Sequence, residues 1–152
     1  MEERWMESPL GAMRIVAEDG AIVALDWGGV PERSSDCAVL QDAEAQLADY
    51  FVGGREVFDL PLRVRGSAFQ RAVCDAMRAI PFGYTRTYGE IAADLGVPAQ
   101  AVGQACGGNP IPILIPCHRV MGAKGLTGFS GAGGVESKVW LLRHEGAGGF
   151  LI

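Results

Sequence analysis

Ile111-Pro112-Ile113-Leu114-Ile115-Pro116-Cys117-His118-Arg119-Val120 joins a nearly all-apolar run to a Pro, a Cys, a His and an Arg. The run reads as a short, buried, extended segment, and Pro116 fixes the backbone just ahead of the Cys. A thiol held rigidly there, next to an imidazole, is a candidate nucleophile. The thiolate is the reactive form, and a free thiol with a pKa of about 8.5 is mostly neutral at pH 7. A nearby His is the usual group to withdraw the proton. Successive side chains of an extended segment point to opposite faces, so His118 would reach the Cys117 sulfur only through a bend or a bridging water. The competing reading is a buried Cys in a structural strand.

The 152 residues, 49% hydrophobic and 20% charged, suffice for one or two small domains with a real core. No apolar run is long enough to span a membrane, and Met1-Glu2-Glu3-Arg4 does not open a secretory signal. Cys37, Cys74, Cys106 and Cys117 fit no CxxC pair or zinc knuckle, so a reducing, cytoplasmic setting without structural metal is expected. The net charge of -5 argues against a general nucleic-acid binder. The charge is uneven: residues 1–65 hold 6 Arg against 13 Asp and Glu, while residues 66–152 hold 7 Lys and Arg against 5 acids. Nucleic acid, if bound, is therefore expected on the second half.

Outward from the Cys stretch the chain divides into two expected units. Residues 1–65 read as a small sheet with one helix. Met13–Ala17 and Ala21–Trp27 flank Asp19-Gly20, a strong hairpin signal. Ser8-Pro9-Leu10-Gly11 reads as a turn, and Gly28-Gly29-Val30-Pro31 as the end of the second strand. Val39, Leu40, Ala43, Leu47, Tyr50 and Phe51 fall at helical spacing, with Gly53-Gly54 as the stop. Val57–Leu62 is expected to add an edge strand. Nothing in this half looks catalytic, and it reads as a scaffold. Residues 66–152 read as helical. A capping box is expected from Ser67 with Gln70 and another from Thr87 with Glu90. Two short helices joined at Gly96-Val97-Pro98 match a helix-turn-helix unit. Gly107-Gly108-Asn109-Pro110 leads into the Cys segment, and a Gly-rich loop over 121–134 lacks the phosphate-loop pattern. Val135–Glu145 reads as the last helix, with Val139 and Leu142 buried, His144 at the surface and Gly146 as the stop.

If that helix packs back on the Cys segment, Cys117, His118 and Glu145 form a relay. The carboxylate fixes the imidazole tautomer, and the imidazole draws off the thiol proton. A Glu at a helix C-terminus is slightly misplaced for the helix itself, which favours function over a solvated helix end. Asn109 reads either as a turn former or as a brace between the helix-turn-helix and the Cys loop. Tyr88 reads either as a core aromatic or as a phenol donor to a base.

Pro116-Cys117-His118-Arg119-Val120, with Asn109-Pro110 upstream and Trp140-Leu141-Leu142-Arg143-His144-Glu145-Gly146 downstream, resembles the O6-alkylguanine-DNA alkyltransferases. The resemblance covers most of the chain and is strongest from Phe69 to Gly146. It implies an α+β fold: a ribonuclease-H-like N-terminal sheet domain, and a helical C-terminal domain carrying the helix-turn-helix and the Cys loop. It implies minor-groove binding, flipping of the damaged guanine, and irreversible transfer of the O6 alkyl group to Cys117, once per molecule. His118 would activate Cys117 through water, oriented by Glu145. Asn109 would brace the segments and Tyr88 would donate a proton towards the leaving guanine. Val120 and Ser130 would supply backbone contacts to the base, with Cys106 lining the pocket. Ala99, Gln100 and Ala101 would meet DNA. No cofactor or metal is implied, and a monomer is expected.

The chain departs from the family pattern in several places. Gln100 stands where an Arg usually enters the base stack, and brings no charge. The link between the helix-turn-helix helices is about two residues shorter than usual. Gly131-Ala132-Gly133-Gly134 is longer than the usual Gly pair, Phe129 replaces a common Tyr, and the zinc ligands of some N-terminal domains are missing. Competing readings are a damage-binding sensor, a methyl-sensing regulator, a Cys-dependent hydrolase, and an alkyltransferase with a shifted substrate such as single-stranded nucleic acid or another alkylated base. Cys117 argues against the sensor. The lack of a further DNA-binding domain argues against the regulator. A hydrolase would need an oxyanion hole and would turn over.

Overall fold

The computed structural model describes residues 1–28, 34–122 and 134–147. Strands β1 (Glu2–Met6), β2 (Met13–Glu18) and β3 (Ala21–Trp27) form an antiparallel sheet in the order β1-β2-β3. Asp19 and Gly20 both take positive φ, 51° and 77°, which is the backbone that a tight two-residue hairpin turn demands. β1 was not anticipated: its residues are mostly polar and only Met6 is buried, as suits an edge strand.

Helix α1 (Ala38–Phe51) lies against the sheet and buries Leu40, Ala43, Leu47 and Tyr50. The edge strand expected at Val57–Leu62 is not formed. Only an isolated bridge pairs Leu62 with Ile22. Buried Gln46 of α1 holds this segment instead, donating to the Asp59 carbonyl at 3.0 Å and accepting from its N–H at 2.8 Å. A helix side chain thus satisfies the backbone groups that a strand ladder would have used.

Helix α2 (Ala68–Arg78) starts at Ser67, whose hydroxyl accepts the Gln70 N–H. The expected capping box is only half made. The Gln70 amide reaches across to the Ala105 carbonyl at 2.8 Å and so ties α2 to a later helix. Short β4 (Arg86–Thr87) leads into α3 (Tyr88–Leu95), where the Thr87–Glu90 capping box is complete. Gly96, at φ 68°, turns the chain out of α3 and Pro98 opens α4 (Ala99–Gly107), giving the expected helix-turn-helix pair. β5 (Val120–Met121) pairs parallel with β4, and α5 (Val135–Glu145) ends at Gly146, φ 63°. In α5 Leu141 and Leu142 are buried, whereas Val139 is half-buried.

One apolar cluster runs from Met6 and Met13 through α1 and α2 to Ile111–Ile115 and Leu141, so sheet and helices share a core. The Leu25 N–H of β3 donates to the Pro110 carbonyl at 2.9 Å and fixes the entry to the Cys segment against the sheet. No described helix is long and apolar enough to cross a membrane.

Candidate active site

The Cys segment is folded, not extended. The Ile115 N–H returns to the Ile111 carbonyl at 2.9 Å, and Ile113 sits at φ 72°, rare for a β-branched residue. Cys117–Arg119 then form a single 3-10 turn. Residues 111 to 120 are all buried, so this tight turn satisfies its backbone internally and with Asn109. Asn109 leaves the end of α4 with its N–H on the Cys106 carbonyl at 3.2 Å. Its side chain donates to the Ile115 carbonyl at 2.9 Å and accepts from the Ile111 N–H at 3.0 Å. It therefore braces the Cys turn against α4, and it also hydrogen-bonds the Cys117 sulfur.

Behind the turn, Glu145 lies at the last residue of α5, fully buried in its side chain. Its Oε2 accepts from His118 Nε2 at 2.7 Å and from the Tyr50 hydroxyl at 2.7 Å. Arg119 grips both oxygens, Nε on Oε1 at 2.8 Å and NH2 on Oε2 at 3.0 Å, and its NH1 donates to the Ile80 carbonyl at 2.6 Å. Four donors on one buried carboxylate leave it little reason to take up a proton. Burial alone would push Glu145 up, but the hydrogen bonds and charge of His118 and then Arg119 outweigh it and hold the group at about 2. Burial lowers the His118 ring, and Glu145 opposes this only in part. A neutral His118 that gives its Nε2 proton to Glu145 carries its lone pair on Nδ1, which has no hydrogen-bond partner among the described residues.

Burial pushes the Cys117 thiol up to about 11, against the Asn109 hydrogen bond and the charge of Lys138. Resting Cys117 is thus a neutral thiol, and its proton must leave as it reacts. Cys106, buried in α4, is pushed up to about 12 by burial and then by Cys117. Lys138 is buried on α5, donates to the Val120 carbonyl at 2.6 Å, and lies 6.0 Å from the Tyr88 ring centroid. The structure therefore gathers Cys117, His118, Glu145 and Asn109, with Val120, Cys106 and half-buried Tyr88 reaching the same region through Lys138. Ala99 and Gln100 are exposed and Ala101 half-buried, at the start of α4. Ser130, Phe129 and most of the Gly-rich loop lie outside the described residues. Among the described residues no group of His, Cys, Asp and Glu is arranged to hold a metal.

Three side chains of the site were missed in the sequence. Arg119 has no role in the sequence reading, although a charge at the end of a wholly buried run needs a partner. Lys138 sits one turn from the other buried residues of α5, and a charged residue on that face was the available signal. Tyr50 comes from the half read as pure scaffold. His144 is not a surface residue: it is half-buried, donates to the Tyr50 carbonyl at 2.6 Å and stacks on Trp140 at 4.9 Å.

Residues 68–147 match the family described as 6-O-methylguanine DNA methyltransferase, DNA binding domain, and residues 1–64 match its ribonuclease-like domain. The chain is 43% identical over 154 aligned residues to the methylated-DNA–protein-cysteine methyltransferase of Mycolicibacterium paratuberculosis, covering 95% of this chain and 92% of that protein. It is 56% identical over 105 residues to the protein of the same name from Salmonella typhimurium, covering 66% of this chain and 60% of that one. The crystal structure of Mycobacterium tuberculosis OGT in complex with DNA superposes with a TM-score of 0.85 at 38% identity, over 99% of this chain and 97% of that one.

Proposed function

Because the chain belongs to the 6-O-methylguanine DNA methyltransferase family, we infer that it repairs DNA by moving the alkyl group from O6 of guanine onto its own Cys117. The observation that carries the choice of Cys117 is its setting: a buried thiol braced by Asn109, with a closed His118–Glu145–Arg119 cluster directly behind it. DNA is the partner, met by the exposed start of α4 through Ala99, Gln100 and Ala101. O6 lies on the major-groove edge of the stacked base, out of reach of a buried thiol, so the nucleotide is turned out of the helix towards Cys117, Cys106 and the Val120 carbonyl.

The sulfur attacks the alkyl carbon in line. The S–C bond forms as the C–O6 bond breaks, and that electron pair stays with guanine. The thiol proton passes towards His118 Nδ1 while Tyr88 donates towards the leaving base, and the imidazolium then gives its proton back, through solvent, to the Tyr88 phenolate, so the net result is one proton moved from sulfur to guanine. Glu145 steadies the imidazolium that forms. Removing the alkyl group from the thioether would require Cys117 to leave as an unactivated thiolate with another nucleophile taking the carbon, so each molecule acts once. The four cysteines are free, which supports a reducing cytoplasm as the place of action.

Intact-protein mass spectrometry after incubation with an oligonucleotide bearing O6-methylguanine tests the reading. One added methyl on the wild type, mapped to Cys117 and lost in C117A, is the expected result. An adduct that persists in C117A would assign the acceptor elsewhere. Running duplex and single-stranded DNA in parallel reads what the uncharged Gln100 contributes to turning the base out of a duplex, and no adduct on either would point to another alkylated substrate.

A further inference from the structure

Tyr50 lies in the last turn of α1, in the half of the chain that otherwise builds the sheet layer, and 95 residues from Glu145 in sequence. It is fully buried. Phe51 and Phe58 pack on its ring at 5.3 Å and Phe82 at 6.3 Å. His144 packs on it at 4.9 Å while also donating to its carbonyl. A ring clamped on so many sides aims its hydroxyl in one direction. That hydroxyl meets Glu145 Oε2 at 2.7 Å, the same oxygen at the same distance as His118 Nε2.

We propose that Tyr50 is a positioning residue for the alkyl transfer, whose phenol competes with His118 for Glu145 Oε2 and so sets how strongly His118 takes a proton from Cys117. This rests on Cys117 being the acceptor. Burial and the Glu145 charge push the phenol far above its usual range, so Tyr50 remains a donor across the working pH. The charged or titratable groups facing this cluster are Arg119 from the 3-10 turn, Glu145, Lys138 and His144 from α5, and Cys117 itself. Arg119 is gripped by both Glu145 oxygens, and Lys138 is held on the Val120 carbonyl. Tyr50 stays neutral whether or not His118 is protonated, so it tunes the carboxylate without adding charge.

Removing the phenol frees electron density on Oε2 for His118, stabilises the imidazolium and makes the ring more basic. Transfer needs the neutral ring, so the rate falls as pH drops through the His118 value, and a more basic ring moves that fall to higher pH. In Y50F the acid limb of the rate–pH profile is expected to move up by roughly half to one pH unit, about half of the one to two units that a whole hydrogen bond to a charged group is worth, because His118 recovers only a share of it. Replacing Tyr50 by 3-fluorotyrosine keeps the ring and makes a stronger donor, so the limb moves down. F58L loosens the packing around Tyr50 without touching Glu145 and leaves the limb where it was.

The His118 ring is titrated by NMR in the same proteins, and the wild-type adduct is mapped first. An adduct mapped away from Cys117 would end the acceptor reading, while the NMR titration would still decide whether Tyr50 tunes His118. Superimposable titrations for wild type and Y50F would overturn the proposal, as would an equal shift in F58L. If Y50F does not fold, an unshifted fluorotyrosine protein overturns it instead.

Discussion

Arg14 and Arg119 each hold a carboxylate in a two-pronged grip, in opposite surroundings. On the sheet, Arg14 places Nε and NH2 on the two oxygens of Asp26 at 2.9 and 2.7 Å, with side chains 34% and 44% exposed. At the 3-10 turn, Arg119 places the same two nitrogens on Glu145 at 2.8 and 3.0 Å, with side chains 8% and 0% exposed. The geometry is nearly the same, so the energetic difference lies in solvation. Water screens the first pair and takes over either partner when the other is lost. The second pair has no water to fall back on, and its carboxylate is shared with His118 and Tyr50. One pair decorates a strand, while the other holds together a buried cluster that Tyr50 ties to the first half of the chain.

Deleting each arginine in turn puts the contrast to the test. R119M strands an ionised carboxylate in the interior and is expected to lower unfolding stability by about 3–5 kcal/mol in urea titrations, with alkyl transfer largely lost. A loss no larger than that of R14M would break the comparison.

Acid is the second probe. Glu145 is held at about 2 against an ordinary value of 4.5. Its stabilisation is therefore complete above pH 4.5 and drains away as pH falls towards 2. His118, held low by burial, resists protonation and acts in the same direction at slightly higher pH. Unfolding free energy is expected to drop by about 3 kcal/mol across the Glu145 window. In E145Q that part of the slope should vanish, and an unchanged slope would mean the acid sensitivity arises on the surface. The smallest effect belongs to R14M, roughly 0.2–1 kcal/mol, shrinking further in high salt.

What the sequence disclosed followed the range of the interactions. The Asp19-Gly20 turn, the Thr87–Glu90 box and the Gly96 and Gly146 stops are decided by neighbours in the chain, and they form as local chemistry dictates. The Cys117, His118 and Glu145 trio was legible because each residue type is chemically unusual in its place. The tight turn at Ile111–Ile115 was hidden: a run of apolar residues shows no period separating a strand from a buried turn. Val57–Leu62 failed as a strand because Gln46, on another element, claims its backbone. Tyr50 looked like one more member of the buried stripe of α1, since periodicity reports that a side chain faces inward but not which oxygen its hydroxyl meets. β1 was hidden by its own edge position, which leaves its charged residues in water.

The high resting value of Cys117 has a consequence for the protein's life before it meets DNA. At neutral pH burial keeps the Cys117 thiol protonated, and the thiolate is a small minority. Stray electrophiles and peroxides, which react with the anion in solution, find almost none to attack. A molecule that can act a single time is thus kept from being wasted on bystanders, because its thiol opens to reaction only where its proton can leave.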